Sequence, residues 1–179
     1  VFTGAMDYWP NIDAVSWFVR DILPRVRQSR PDARFYIVGM NPAPAVTALA
    51  DDASVVVTGK VPDVRPYVQH ARVVVAPLRV ARGIQNKVLE AMALARPVVV
   101  STASADGLNG RAGEEFATAS TEPDFAQRVL ELFDVPAAEA MGLRARARIL
   151  ADRDWDRNLS AIDALLEPDA APERQRHAR

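Results

Sequence analysis

The sequence predicts an α/β fold: a doubly wound, Rossmann-like parallel sheet of six strands, flanked by helices and followed by carboxyl-terminal helices. Three observations predict it. Short apolar or β-branched runs recur at residues 1–3, 35–38, 55–58, 73–76, 98–100 and 116–119. Segments with helical spacing separate them. Within most runs the apolar residues are consecutive rather than alternating, as strands covered on both faces require.

The elements follow in order. After the first strand and a loop from Gly4, Asn11 is read as the cap of a helix with apolar positions Ile12, Val15, Val19, Ile22, Leu23 and Val26. Pro24 falls inside that pattern and should kink or end it. Gly39 closes the second strand, and a short helix follows Pro44. The third strand leads through Gly59, Lys60, Val61 and Pro62 to a short helix over 64–71, with Asp63 as its cap. Between strands four and five, Ile84, Val88, Ala91, Met92 and Ala95 form one helical stripe. Three helices are expected at 122–133, 137–151 and 155–166, completing a domain over 1–166. Residues 167–179 carry too little apolar surface to pack and read as a disordered tail.

Composition excludes several classes. With 179 residues, 49% hydrophobic, the chain can bury one sizeable core, and a net charge of -1 gives no reason to expect nucleic acid. The absence of cysteine rules out disulfides and thiolate metal sites and fits a reducing, cytoplasmic setting. No apolar run approaches the ~20 residues that span a bilayer, which leaves peripheral membrane contact for the full-length protein. The chain starts at Val1, in an apolar run and without methionine, so a missing amino-terminal domain is expected. There is no G-x-G-x-x-G fingerprint and no P-loop. His70 reads as structural and His177 lies in the tail; Ser101, Ser104 and Ser120 have no base nearby in sequence. Tyr8 and Trp9 are expected to pack on the first helix rather than line a pocket.

The stretch from 73 to 102 carries the chemistry. A helix amino terminus leaves N–H groups unpaired and attracts phosphate. Gly83 allows close backbone approach. Lys87 and Glu90, three residues apart, share one face of the helix away from its apolar stripe. The lysine suits a diphosphate, and the carboxylate suits two ribose hydroxyls. The alternative is a solvated Lys–Glu pair of ~0.2–0.5 kcal/mol. In the strand order 3-2-1-4-5-6 the reversal lies between strands one and four, where ligands bind. That order brings the loops at 4–11 and 77–85 together.

The stretches FTGAMDYWPN, RPDARFYIVG, VVVTGKVPDVRPY and VVVAPLRVARGIQNKVLEAMALARPVVV together resemble the carboxyl-terminal domain of family-4 glycosyltransferases of the GT-B type. Within that group they are most similar to the sugar transferases associated with exosortase/PEP-CTERM systems. The resemblance implies the donor-binding half of a two-domain, retaining enzyme of exopolysaccharide biosynthesis. Its substrate is a nucleotide-diphosphate sugar and its partner the amino-terminal acceptor domain. It implies no cofactor and no metal, since cationic groups and the helix end stabilise the leaving diphosphate. Glu90 matches the second glutamate of the family's E-x7-E motif and Lys87 a lysine found before it, which makes these two the expected catalytic residues. Gly4, Ala5, Gly83, Ile84 and Gln85 would meet phosphate or donor sugar, and Val61 the base. Two departures stand out. Arg82 occupies the place of the first glutamate, and the usual arginine-and-lysine pair after the first strand is missing. Arg79 or Arg82 is then expected either to grip phosphate or to lie on the surface. The rival readings are a non-catalytic nucleotide-binding or interaction module of the same fold and a nucleotide-sugar epimerase.

Overall fold

The computed structural model describes residues 1–81 and 83–152. Arg82, the helix expected at 155–166, the tail and His177 lie outside the described residues. The elements run β1 (Phe2–Thr3), α1 (Trp9–Trp17), a π-helical turn (Phe18–Ile22), α2 (Leu23–Ser29), β2 (Phe35–Val38), and α3 (Pro44–Thr47) leading into a 3-10 turn (Ala48–Asp51). They continue with β3 (Val55–Gly59), α4 (Arg65–His70), β4 (Val74–Ala76), α5 (Asn86–Ala93), β5 (Val98–Ser101), α6 (Thr102–Ala105), β6 (Ala117–Ala119), α7 (Glu122–Glu131) and α8 (Val135–Asp152).

Every strand pairing is parallel, in two ladders ordered β1-β2-β3 and β4-β5-β6. Val1 joins them. Its nitrogen donates to the Val73 carbonyl at 2.9 Å, and its own carbonyl accepts from the Val75 N–H at 2.9 Å. Across that seam the strand order reads 3-2-1-4-5-6, with the reversal between β1 and β4 that the sequence predicts.

The consecutive apolar residues have a direct explanation. Val73, Val75 and Val99 face a core shared with Phe2, Phe18, Phe35 and Phe125, under α1, α2 and α7. Val74, Ala76, Val98 and Val100 face a second core with Val88, Met92, Phe116 and Ala145, under α5 and α8. Successive strand residues point to opposite faces, and both faces are covered. Burying each valine contributes about 1.5–3 kcal/mol relative to exposure.

Several local expectations are refined. Pro24 does disturb its helix: the backbone widens into the π-helical turn just before it, which accommodates a residue without an N–H. Asp63 caps as expected, accepting the Arg65 N–H at 2.9 Å. Asn11 does not cap. The helix has already begun at Trp9, with Pro10 in its first turn, and Asn11 turns inward to 5% exposure. Tyr8 and Trp9, expected to pack, are 61% and 59% exposed because they sit at the outward tip of that helix start. Ile84, counted in the helical stripe, precedes α5 and is exposed. α6 was not foreseen.

α8 is fitted to α5 by shape. Ala95 ends the α5 segment in the left-handed region, φ 54°, and Gly142 of α8 lies against it. A Cβ at Gly142 would fall 2.1 Å from the Ala95 carbonyl oxygen. A cavity of about 620 Å³ opens at the opposite end of the sheet from the strand carboxyl ends, lined by Val1, Phe35, Tyr36, Tyr67, His70 and Val73 among others. In an ordinary helix interior Gly→Ala stabilises by about 0.8–1 kcal/mol. Here Gly142→Ala is expected to destabilise by ~1–3 kcal/mol through overpacking against backbone. Urea unfolding of the two proteins reads the sign.

Candidate functional site

The site forms where the loops after β1 and β4 meet. Lys87 stands in the first turn of α5, and its chain folds back across the carboxyl end of β1. Its Nζ donates to Asn11 Oδ1 at 2.5 Å and lies 4.1 Å from the centre of the Phe2 ring, within cation–π range. Gly4 leaves room for it: a Cβ there would stand 3.3 Å from Nζ and 2.7 Å from Asn11 Nδ2. Enclosure strips water from the ammonium and lowers its pKa from 10.5 to about 8, with the Glu90 charge opposing the shift.

Glu90 lies one turn further along α5 and is exposed. Among the described residues its carboxylate takes no hydrogen bond or salt bridge, so its oxygens are available to a ligand's hydroxyls. The tip of α5 is exposed at Gly83 and Ile84. Gln85 occupies the cap position in an extended conformation without a side-chain capping bond, and Ile84 is 47% exposed. Gly83 adopts φ 67° and is exposed, and no atom within 4 Å would meet a Cβ there. Gly107, beyond α6, packs close beneath: its Cβ would meet the Gly83 carbonyl oxygen at 3.0 Å.

On the β1 side, Gly4 continues the ladder by donating its N–H to Val38 at 3.0 Å, and the exposed Ala5 accepts from Asn11 Nδ2 at 2.9 Å. Gly39 makes that approach sterically possible, since a Cβ there would sit 1.7 Å from the Gly4 carbonyl oxygen. Val61 is half-buried in the loop after β3. The Gly39 N–H, donated to Gly59 at 3.3 Å, ties that strand end to the end of β2.

The structure therefore brings Gly4, Ala5, Lys87 and the α5 tip to one locus, with Val61 at the same end of the sheet. Arg79 is engaged elsewhere. Its guanidinium bonds both oxygens of Asp13 on α1 and lies 5.5 Å from the Trp17 ring. That pairing raises its pKa and holds the β4–α5 loop against α1. Arg82 lies outside the described residues. The serines are structural: Ser101 and Ser104 are buried 2.9 Å apart, and Ser101 donates to the Leu78 carbonyl at 2.5 Å. His70 closes onto the Pro66 carbonyl of its own helix at 2.7 Å. No group of three His, Asp or Glu side chains that could hold a metal occurs among the described residues. Asn11, Phe2, Gly39 and Gly107 were missed as contributors. Asn11 lies 76 residues from Lys87, and no local spacing signals such a pair.

The model for the family "Glycosyl transferases group 1" matches residues 1–134. No curated protein sequence matches. Among solved structures, TarM superposes with a TM-score of 0.77 at 16% identity, over 93% of this chain and 34% of that one. HepE from Anabaena, in complex with UDP and glucose, gives 0.73 at 14% identity over 93% and 47%. Sucrose-phosphate synthase from Thermosynechococcus elongatus gives 0.70 at 18% identity over 92% and 44%. The chain thus spans a third to a half of the length of these structures, all of which share its α/β fold. With the family model covering most of its length, the chain belongs to the group 1 glycosyltransferases.

Proposed function

We propose that the chain is the donor-binding domain of a retaining glycosyltransferase. It moves a sugar from a nucleotide-diphosphate sugar to an acceptor in exopolysaccharide biosynthesis, in an enzyme of the exosortase/PEP-CTERM-associated kind. The observation that carries this reading is the Lys87 ammonium beside the open tip of α5, at the switch point of the sheet. Structures of HepE and S. aureus TarM similar to this chain contain UDP, which supports a nucleotide donor.

In this reading the diphosphate lies across the amino end of α5, meeting the N–H groups around Gly83–Gln85 and the Lys87 charge. As the bond from the sugar's anomeric carbon to the diphosphate breaks, the electron pair goes to the leaving oxygen. Lys87 and the helix end stabilise that negative charge. Glu90 accepts the two ribose hydroxyls, and Val61 meets the base through its backbone. These groups take the place of a metal, so the reaction is proposed to be metal-independent. The acceptor and the remaining catalytic groups belong to a separate amino-terminal domain of a cytoplasmic protein. No helix among the described residues is long and apolar enough to cross a membrane. Arg82 in place of a glutamate favours one alternative, a non-catalytic module that retains nucleotide binding. Assaying the full-length protein for transfer from labelled sugar nucleotides separates the two.

Isothermal calorimetry with a panel of nucleoside diphosphates and their sugars is expected to find a binder. No binding by any member, with the domain demonstrably folded, refutes the donor site. A charge-assisted hydrogen bond contributes ~1.5–3 kcal/mol, so Glu90→Ala is expected to weaken binding roughly ten- to a hundredfold. The pH dependence has a definite sign. Free Lys87 titrates at about 8, and a bound diphosphate raises that value. Affinity is therefore highest below pH 8 and falls as pH rises above it, by up to about tenfold per unit. Calorimetry with a nucleotide sugar, whose diphosphate does not titrate in this window, measures that slope; a flat profile excludes Lys87 from the site.

A further inference from the structure

The contacts around Lys87 go beyond placing a cation near phosphate, because its hydrogen-bond partner is neutral, buried and fixed in orientation. The Asn11 amide is 5% exposed. Its Nδ2 donates to the Ala5 carbonyl at 2.9 Å, and a carbonyl can only accept. That leaves Oδ1 facing Lys87 Nζ at 2.5 Å. The amide cannot be reversed without setting two donors against each other and two acceptors likewise. Phe2 lies against the ammonium at 4.1 Å, another contact that carries no formal charge.

We infer that Asn11 is the positioning residue of the donor site, holding the Lys87 ammonium over β1 by an uncharged acceptor so that its positive charge stays available to the diphosphate. An aspartate in the same place would give the same geometry and the opposite electrostatics. It would form a buried ion pair and leave the lysine little net attraction for phosphate. Through its second bond to Ala5, the same amide fixes the loop after β1 where the usual basic pair of this family is missing. The first turn of α1 thereby orders two flanks of the phosphate site at once.

The inference rests on the donor-site reading, and its test separates the two. Asn11→Ala and the near-isosteric Asn11→Asp are compared with the wild type by calorimetry with the best-binding nucleotide sugar. In parallel, lysine-selective NMR follows the ε-methylene of Lys87 through pH 6–11; the sequence contains only Lys60 and Lys87, so two signals are expected. Asn11→Ala is expected to weaken binding about tenfold, in line with loss of a hydrogen bond to a charged group. Asn11→Asp is expected to weaken it at least as much at pH 7 and to raise the Lys87 titration by more than one pH unit. A general loosening of the fold would also raise the titration by rehydrating the ammonium, but in Asn11→Ala as well; a rise larger in Asn11→Asp than in Asn11→Ala reads the added charge. Wild-type affinity in both variants, or a Lys87 titration unmoved by Asn11→Asp, overturns the inference. Failure of the wild type to bind any nucleotide defeats the donor reading instead, while the NMR titration still decides whether Asn11 governs Lys87.

Discussion

The molecule depends on the pairing of β1 with strands on both of its sides. β1 is two residues long, yet it lies between the ladder that ends in β3 and the ladder that ends in β6. Val1 supplies both hydrogen bonds of the seam. Because all pairings are parallel, the loops after β1 and β4 leave the sheet side by side and in diverging directions, the condition for a crevice. Each later feature of the site inherits its place from this: Gly4 at the strand end, Asn11 in the first turn of α1, and Lys87 in the first turn of α5. Close backbone approach at Gly39 locks the arrangement, since β2 admits no side chain where Gly4 passes it.

Much of this was legible in the sequence for a physical reason. Strands covered on both faces must be apolar at consecutive positions, and such runs are visible without knowing their partners. The strand order and the site-bearing loops follow from the βαβ alternation. The α5 region was legible because one short segment contains its glycine, its lysine and its glutamate. What stayed hidden depends on distant contacts. Asn11 reads as a cap because asparagine near a helix start usually is one; only the approach of Lys87 and Ala5 converts it into a buried bridge. Arg79 reads as a phosphate ligand because it lies near the right loop, and Asp13, far earlier in the chain, claims it. Tyr8 and Trp9 read as packing residues, and their exposure reflects a helix that starts three residues earlier than capping chemistry suggests.

The choice of lysine at position 87 follows from the same enclosure. Of 22 basic residues all but two are arginine, so this chain's composition does not explain a lysine here. The space between the Phe2 ring, Asn11 and Gly4 takes a compact ammonium at the end of a flexible stem. A planar guanidinium needs more room and donates as a fixed fork that a single amide oxygen cannot satisfy. Lysine also responds to burial where arginine does not. Folding lowers its pKa from 10.5 to about 8, so the folded chain holds this proton less tightly than the unfolded one. The resulting cost to stability is fully present below pH 8 and is relieved as pH climbs toward 10.5. Under the proposed function, a diphosphate arriving at the α5 tip would reverse the balance. It meets an ammonium already stripped of much of its water and already oriented, so the attraction is not spent on desolvating and immobilising the side chain. On that proposal, the strain of burying an unneutralised cation in the free protein would become affinity for the anion, and with it stabilisation of the charge that grows on the leaving group as the sugar departs.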